Sequence, residues 1–210
     1  MFKICSTLLA IAVALSASSR LASAQTFDGG VKGGLTFTDI PRLAADLEDA
    51  GADDVEWRIG RALGGFIAIG LTDSLAFQPE LLWTQKGLKG REPLLDTDLK
   101  VEFDYVEIPV LVRLGPSNGQ GIHVLAGPSF NFLTRARAIE EGTFGEDEDI
   151  KDETESVDVG LVVGLGYYGR LLLIEGRFEE GLRNVPKFPE SDEKYRNRAF
   201  MILAGLRFGR

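Results

Sequence analysis

From residue 25 onward, eight stretches of strand-like sequence are joined by connections that alternate between short and long. The stretches are 28–38, 57–70, 74–87, 101–114, 121–134, 157–166, 171–183 and 197–208. The connections at 71–73, 115–120 and 167–170 are tight, whereas those at 39–56, 88–100, 135–156 and 184–196 hold 18, 13, 22 and 13 residues. Sorting the short turns to one end and the long loops to the other is the habit of a transmembrane up-and-down barrel, with turns and both termini in the periplasm. A soluble sandwich has no physical reason to sort its connections. The expected fold is therefore all-β, an eight-stranded antiparallel up-and-down transmembrane β-barrel.

A period of two tells inside from outside. In VEFDYVEIPVLVRL one face carries Val106, Ile108, Val110, Val112 and Leu114, and the other Tyr105, Glu107, Pro109, Leu111 and Arg113. Glu107 and Arg113 are too costly to place in hydrocarbon, so the Val/Ile/Leu face goes to lipid. An aspartate at Ile108 is then expected to impair insertion. Leu75, Phe77, Leu81 and Trp83 oppose Gln78, Glu80, Thr84 and Lys86 in the same way. Leu172, Ile174, Gly176 and Phe178 oppose Leu173, Glu175, Arg177 and Glu179, and the last strand turns Arg207 inward against Phe200, Ile202, Ala204, Leu206 and Phe208. A strand tilted by about 45° spans a bilayer in roughly 9–11 residues, which most of these stretches supply. Closure is required because an open edge in lipid strands unpaired backbone groups.

Residues 1–24 read as an export signal: Lys3, an apolar run from Ile4 to Leu15, and Ala22-Ser23-Ala24 at a cleavage site. That run of 12 residues falls short of the roughly 20 that a spanning helix needs. Cleavage before Gln25 leaves one barrel domain, 25–210. It also removes Cys5, the only cysteine, and with it any disulfide, thiol nucleophile or cysteine metal site. With 21 Lys+Arg against 32 Asp+Glu beyond residue 24, the charge is -11 and there is no basic track for nucleic acid.

Three groups of residues invite a functional reading. Arg61, Glu80, Glu107, Arg113, Glu175, Arg177 and Arg207 are expected to form an interior charge network, either a plug of paired charges or the lining of a narrow path, because charges in a tight lumen must pair or hydrate. Two external loops are acidic: 39–56 carries seven acids against Arg42, and 135–156 nine against Arg135, Arg137 and Lys151. Within the second, Glu146, Asp147, Glu148 and Asp149 are a candidate for weak divalent-cation binding, although they lack calcium-loop spacing. No other cofactor or metal is implied. The third is His123, the only histidine. Serine chemistry would need it beside a nucleophile such as Ser129, but no GxSxG surrounds that serine, so it is placed at the rim of the fifth strand. Leu43 to Leu47 read as one or two helical turns capping the mouth. Neither Gly60–Gly70 nor Gly160–Gly169 contains a phosphate-loop spacing.

The stretches GGVKGGLTFT, FQPELLWTQKG, YVEIPVLVRL, HVLAGPSFNFL, VDVGLVVGLGY and AFMILAGLRF, taken in order, resemble the PorT-like small outer-membrane β-barrel proteins of Bacteroidetes, a type of barrel similar to OmpX and the OmpA barrel. The resemblance covers nearly the whole chain beyond residue 24. It implies that Glu80, Glu107, Pro109, Gly127, Pro128 and Asp158 are recurrent positions. It also implies that the barrel-assembly machinery reads an aromatic close, here Phe208 followed by Gly209 and Arg210.

The leading expectation is a monomeric, non-enzymatic structural or interaction barrel in a Gram-negative outer membrane. Its partners are membrane lipid and an extracellular or envelope component met by the acidic loops. The alternatives are a narrow channel for small solutes or ions, a barrel enzyme acting on lipid, and a secreted lipocalin-like carrier whose apolar faces turn inward around a ligand.

Overall fold

The computed structural model describes residues 27–41, 44–45, 53–92, 97–141, 147–183 and 195–209. The strands are β1 (Phe27–Asp39), β2 (Asp53–Gly70), β3 (Leu75–Glu92), β4 (Thr97–Leu114), β5 (Gly121–Glu141), β6 (Asp147–Asp149), β7 (Val157–Tyr168), β8 (Leu172–Gly181) and β9 (Arg198–Gly209). Eight of them form a closed antiparallel barrel in which every strand pairs with its neighbour and β1 closes on β9. The ninth, β6, is a three-residue strand paired to the outer part of β5. The export segment expected at 1–24 and most of the helical turn expected at 43–47 lie outside the described residues; Pro41, Ala44 and Ala45 are helical.

The faces follow the period of two. Ile108, Val112, Val163, Leu165, Ile174 and Ile202 are exposed on the outside, while Glu107, Leu111, Arg113, Glu175, Arg177 and Leu203 are buried inside. A carrier needs the reverse arrangement.

Three turns gather at one end. Thr72 Oγ1 accepts from the Ser74 and Leu75 amides, Asn118 Oδ1 accepts from the Gln120 amide, and Gly169 N–H donates to the Leu172 carbonyl. At the other end the strands run further than the alternation predicts: β2 starts at Asp53, β3 reaches Glu92, β4 starts at Thr97 and β5 reaches Glu141. Expected loop segments at 53–56, 88–92, 97–100 and 135–141 are thus strand. Beyond the lipid both faces of a strand tolerate polar residues, so pairing continues where the hydrophobic alternation stops.

The β2–β3 ladder is interrupted between Trp57 and Ala62. Backbone groups left unpaired in a barrel wall are costly, and side chains fill this gap. Thr36 Oγ1 donates to the Gln85 carbonyl at 2.6 Å and Thr38 Oγ1 to the Gly87 carbonyl at 2.9 Å. Arg58 Nη1 donates to the Lys86 carbonyl at 3.0 Å. Thr36 reaches across only because residue 60 is glycine: a Cβ there would lie 2.5 Å from Thr36 Oγ1. Thr36→Val keeps the shape and removes the hydrogen bond to the half-buried Gln85 carbonyl. It is expected to lower stability by about 1–3 kcal/mol, read as a lower denaturant midpoint of the detergent-folded barrel.

Candidate functional site

The chemistry-bearing side chains lie inside the barrel in layers. Nearest the turns, Asp28 accepts from Arg113 Nη2 at 3.2 Å and from Arg207 Nη2 at 2.7 Å. Arg207 Nη1 also donates to the Gly119 carbonyl at 2.6 Å and the Gly169 carbonyl at 3.0 Å, tying two turns to β1. The Arg113 guanidinium lies 4.7 Å from the centre of the Tyr168 ring, against which His123 packs edge-on at 4.8 Å. Asp28, Arg113, His123 and Arg207 line the inner wall of a cavity of about 670 Å³ at the turn end.

The middle layer is a quartet from three strands. Arg177 grips Glu80 with two hydrogen bonds of 2.7 Å and reaches Glu175 at 2.6 Å. Lys32 bonds the same two carboxylates at 2.8 and 3.0 Å. Two cations face two anions, so the layer is neutral. Gln78 adds a bond to Glu80, and the Tyr168 hydroxyl donates to Glu175. Such fork geometry is among the stronger protein hydrogen-bond arrangements.

Above it, Lys86 pairs with Glu107 at 2.7 Å and Glu179 at 3.1 Å. Thr84 donates to Glu107, and Asn131 to Glu179, both at 2.6 Å. At the loop end Ile40, Leu88, Phe103, Tyr105, Leu133 and Ala136 form an apolar cap, against which Val101, Ile150 and Tyr195 pack.

Six of the seven residues expected in the interior network are inside: Glu80, Glu107, Arg113, Glu175, Arg177 and Arg207. Arg61 is not. It is exposed on the outer face of β2 between Ile59 and Leu63. In WRIGRALGGFIAIG the inward positions are Gly60, Ala62, Phe66 and Ala68, so apolar residues occupy both faces and the charge no longer reports the parity. The network also takes in Lys32 and Asp28. They sit in FDGGVKGG, where glycines flank the charges and erase the alternation. Lys86 and Glu179, on the inward faces of β3 and β8, join it as well. Of the recurrent positions, Glu80, Glu107, Pro109 and Asp158 are buried inside, whereas Pro128 is exposed outside.

His123 and Ser129 do not meet. The Ser129 hydroxyl donates to Asn131 Oδ1 at 2.6 Å in the upper layer, while His123 Nδ1 lies 3.0 Å from the Gly121 carbonyl near the turns. Six residues of extended strand separate them, roughly 20 Å. In the acidic loop Glu146 lies outside the described residues. Asp147–Asp149 is strand β6, in which Glu148 and Asp149 take opposite faces. Among the described residues no three His, Cys, Asp or Glu side chains are grouped to hold a metal ion.

Charge within, hydrocarbon side chains without and a sheet closed on itself define a transmembrane β-barrel. The chain belongs to the outer membrane protein beta-barrel domain family, whose sequence profile matches residues 20–186. No curated protein sequence matches it. Solved structures similar in fold include the attachment invasion locus protein Ail of Yersinia pestis, at 13% identity over 86% of this chain and 98% of that one, TM-score 0.46. Neisserial surface protein A is 12% identical over 88% and 97%, TM-score 0.46. The N-terminal barrel of Pseudomonas aeruginosa OprF is 11% identical over 88% and 100%, TM-score 0.41.

Proposed function

We propose that this chain is a non-conducting outer-membrane barrel that holds an acidic loop end outside the cell as an interaction surface. In this reading residues 1–24 are removed on export and the turn end and both termini face the periplasm. The barrel belongs to the PorT-like branch of its family, on the strength of the six stretches quoted above.

The filled lumen carries the proposal. A hydrated path would leave its lining in contact with water, yet Gln78, Thr84 and Glu107 are all 0% exposed. The charges that would line a channel are spent on one another, and the apolar cap blocks the loop end above them. The turn-end cavity stops at these layers. What is left for contact with the environment is the loop end, where the extensions of β2 to β5, together with β6, stand beyond the apolar outer face.

Planar-bilayer recording tests the sealed lumen. The purified barrel is expected to insert without steady single-channel conductance in molar salt. Reproducible, ohmic steps that scale with inserted protein would replace this reading with the channel.

A further inference from the structure

Arg61 occupies an unusual place. On β1 it pairs with Leu35, along β2 it is flanked by Ile59 and Leu63, and all three neighbours are apolar and exposed on the outer face. Among the described residues it makes no hydrogen bond or ion pair. An unpaired guanidinium among lipid-facing side chains is costly at the membrane midplane and tolerated near the interface.

The strand geometry gives its depth. Arg61 is eight residues from Ile69, near the turn end of β2. At about 3.3 Å per residue and a tilt of about 40°, that is roughly 20 Å along the membrane normal. The apolar band of such a barrel is about 25 Å tall. Arg61 therefore starts inside the loop-side boundary, and its long side chain brings the charge up to that boundary by snorkelling.

The neighbouring strands mark the same boundary. Leu63, Trp83, Val106 and Phe132 are successive partners across β2 to β5 and form an apolar row. Directly above it Gln85 pairs with Asp104 and Asp104 with Arg135, a polar row that begins where the apolar one ends. Arg61 directly precedes Ala62, the partner of Thr84, and so adjoins this row at the edge of the interrupted ladder. Gln85 Nε2 bonds Asp104 Oδ1 at 3.2 Å, and Arg135 is the β5 register partner of Asp104. Arg135 thus has a carboxylate across from it, whereas the register partner of Arg61 on β1 is Leu35.

We propose that Arg61 binds the phosphate of a lipid in the outer leaflet, a phosphorylated glycolipid whose headgroup lies against β2. Among the described residues no carboxylate pairs with Arg61, and the anion present at that height all around the barrel is the lipid headgroup. A guanidinium takes two phosphate oxygens in fork geometry, which a lysine does not reproduce. The proposal rests on the orientation given above, with the loop end outward.

Lipid retention by the detergent-folded barrel tests it, using native mass spectrometry with lipid A, chemically dephosphorylated lipid A and inorganic phosphate as probes. The parent is expected to retain lipid A roughly tenfold better than Arg61→Gln, with Arg61→Lys in between. Dephosphorylated lipid A is expected to bind both equally weakly, and millimolar inorganic phosphate not to displace the lipid. Equal retention of lipid A by the parent and Arg61→Gln overturns the site. Displacement by inorganic phosphate makes it a free-anion site instead. Thiol labelling of the Glu148→Cys variant on intact cells reads orientation separately. Surface labelling with lost discrimination removes only the lipid site, whereas labelling only after permeabilisation removes the outer-leaflet assignment.

Discussion

Replacing Arg177 by methionine is expected to cost about 3–5 kcal/mol of barrel stability, the range for breaking a buried ion pair by removing one partner. Arg177 is 2% exposed and supplies three of the hydrogen bonds and ion pairs that satisfy Glu80 and Glu175. Without it Lys32 faces both carboxylates alone, and the quartet carries an uncompensated negative charge in a site water does not reach. The loss comes from that imbalance rather than from any large worth of the pair itself. The double replacement Arg177→Met with Glu175→Gln restores neutrality and is expected to recover more than half of the loss. Denaturant midpoints of the parent and both variants, read by the fraction of compact barrel on unheated gels, decide it. Equal destabilisation of the single and double variants would mean that packing, not charge balance, governs the layer.

On the opposite face, arginine at Ile108 is expected to cost about 2–4 kcal/mol, and aspartate somewhat less in the same direction. Ile108 lies six residues from Leu114 at the turn end of β4, about 15 Å along the membrane normal at the same rise and tilt. That depth is close to the middle of the apolar band. Its side chain points outward between Val106 and Val110 and opposite Phe130, so an ionised group there has only hydrocarbon around it. Ile108→Val, by contrast, stays apolar and is expected to fold nearly as the parent does. Folding yields into phosphatidylcholine vesicles measure the difference. Insertion of Ile108→Asp and Ile108→Arg as efficient as that of the parent would mean that the face of β4 is assigned the wrong way round.

How far the sequence speaks depends on whether a strand's two faces differ in polarity. β3, β4, β8 and β9 each set glutamate, lysine or arginine against isoleucine, leucine, valine or phenylalanine. Their inside and outside were therefore readable residue by residue, from Glu80 and Glu107 to Arg177 and Arg207. β1 and β2 carry glycines and alanines on both faces, so Lys32 and Asp28 were missed and Arg61 was placed inside. Above the membrane the constraint that generates alternation is gone, and paired strands such as the outer part of β5 read as acidic loop. The apolar cap joins Ile40, Leu88, Phe103, Leu133 and Ala136 from four separate stretches. Each is an unremarked apolar residue near the end of a strand or in a connection. Only the closure of the barrel brings them together.

Heat-modifiable gel migration of the detergent-folded chain, beside membrane fractionation, tests the central claim most directly. A closed barrel in lipid predicts that the protein stays with the outer membrane and that the unheated sample runs as a compact band, faster than the boiled one. A protein that remains soluble without detergent and migrates identically before and after heating would contradict it.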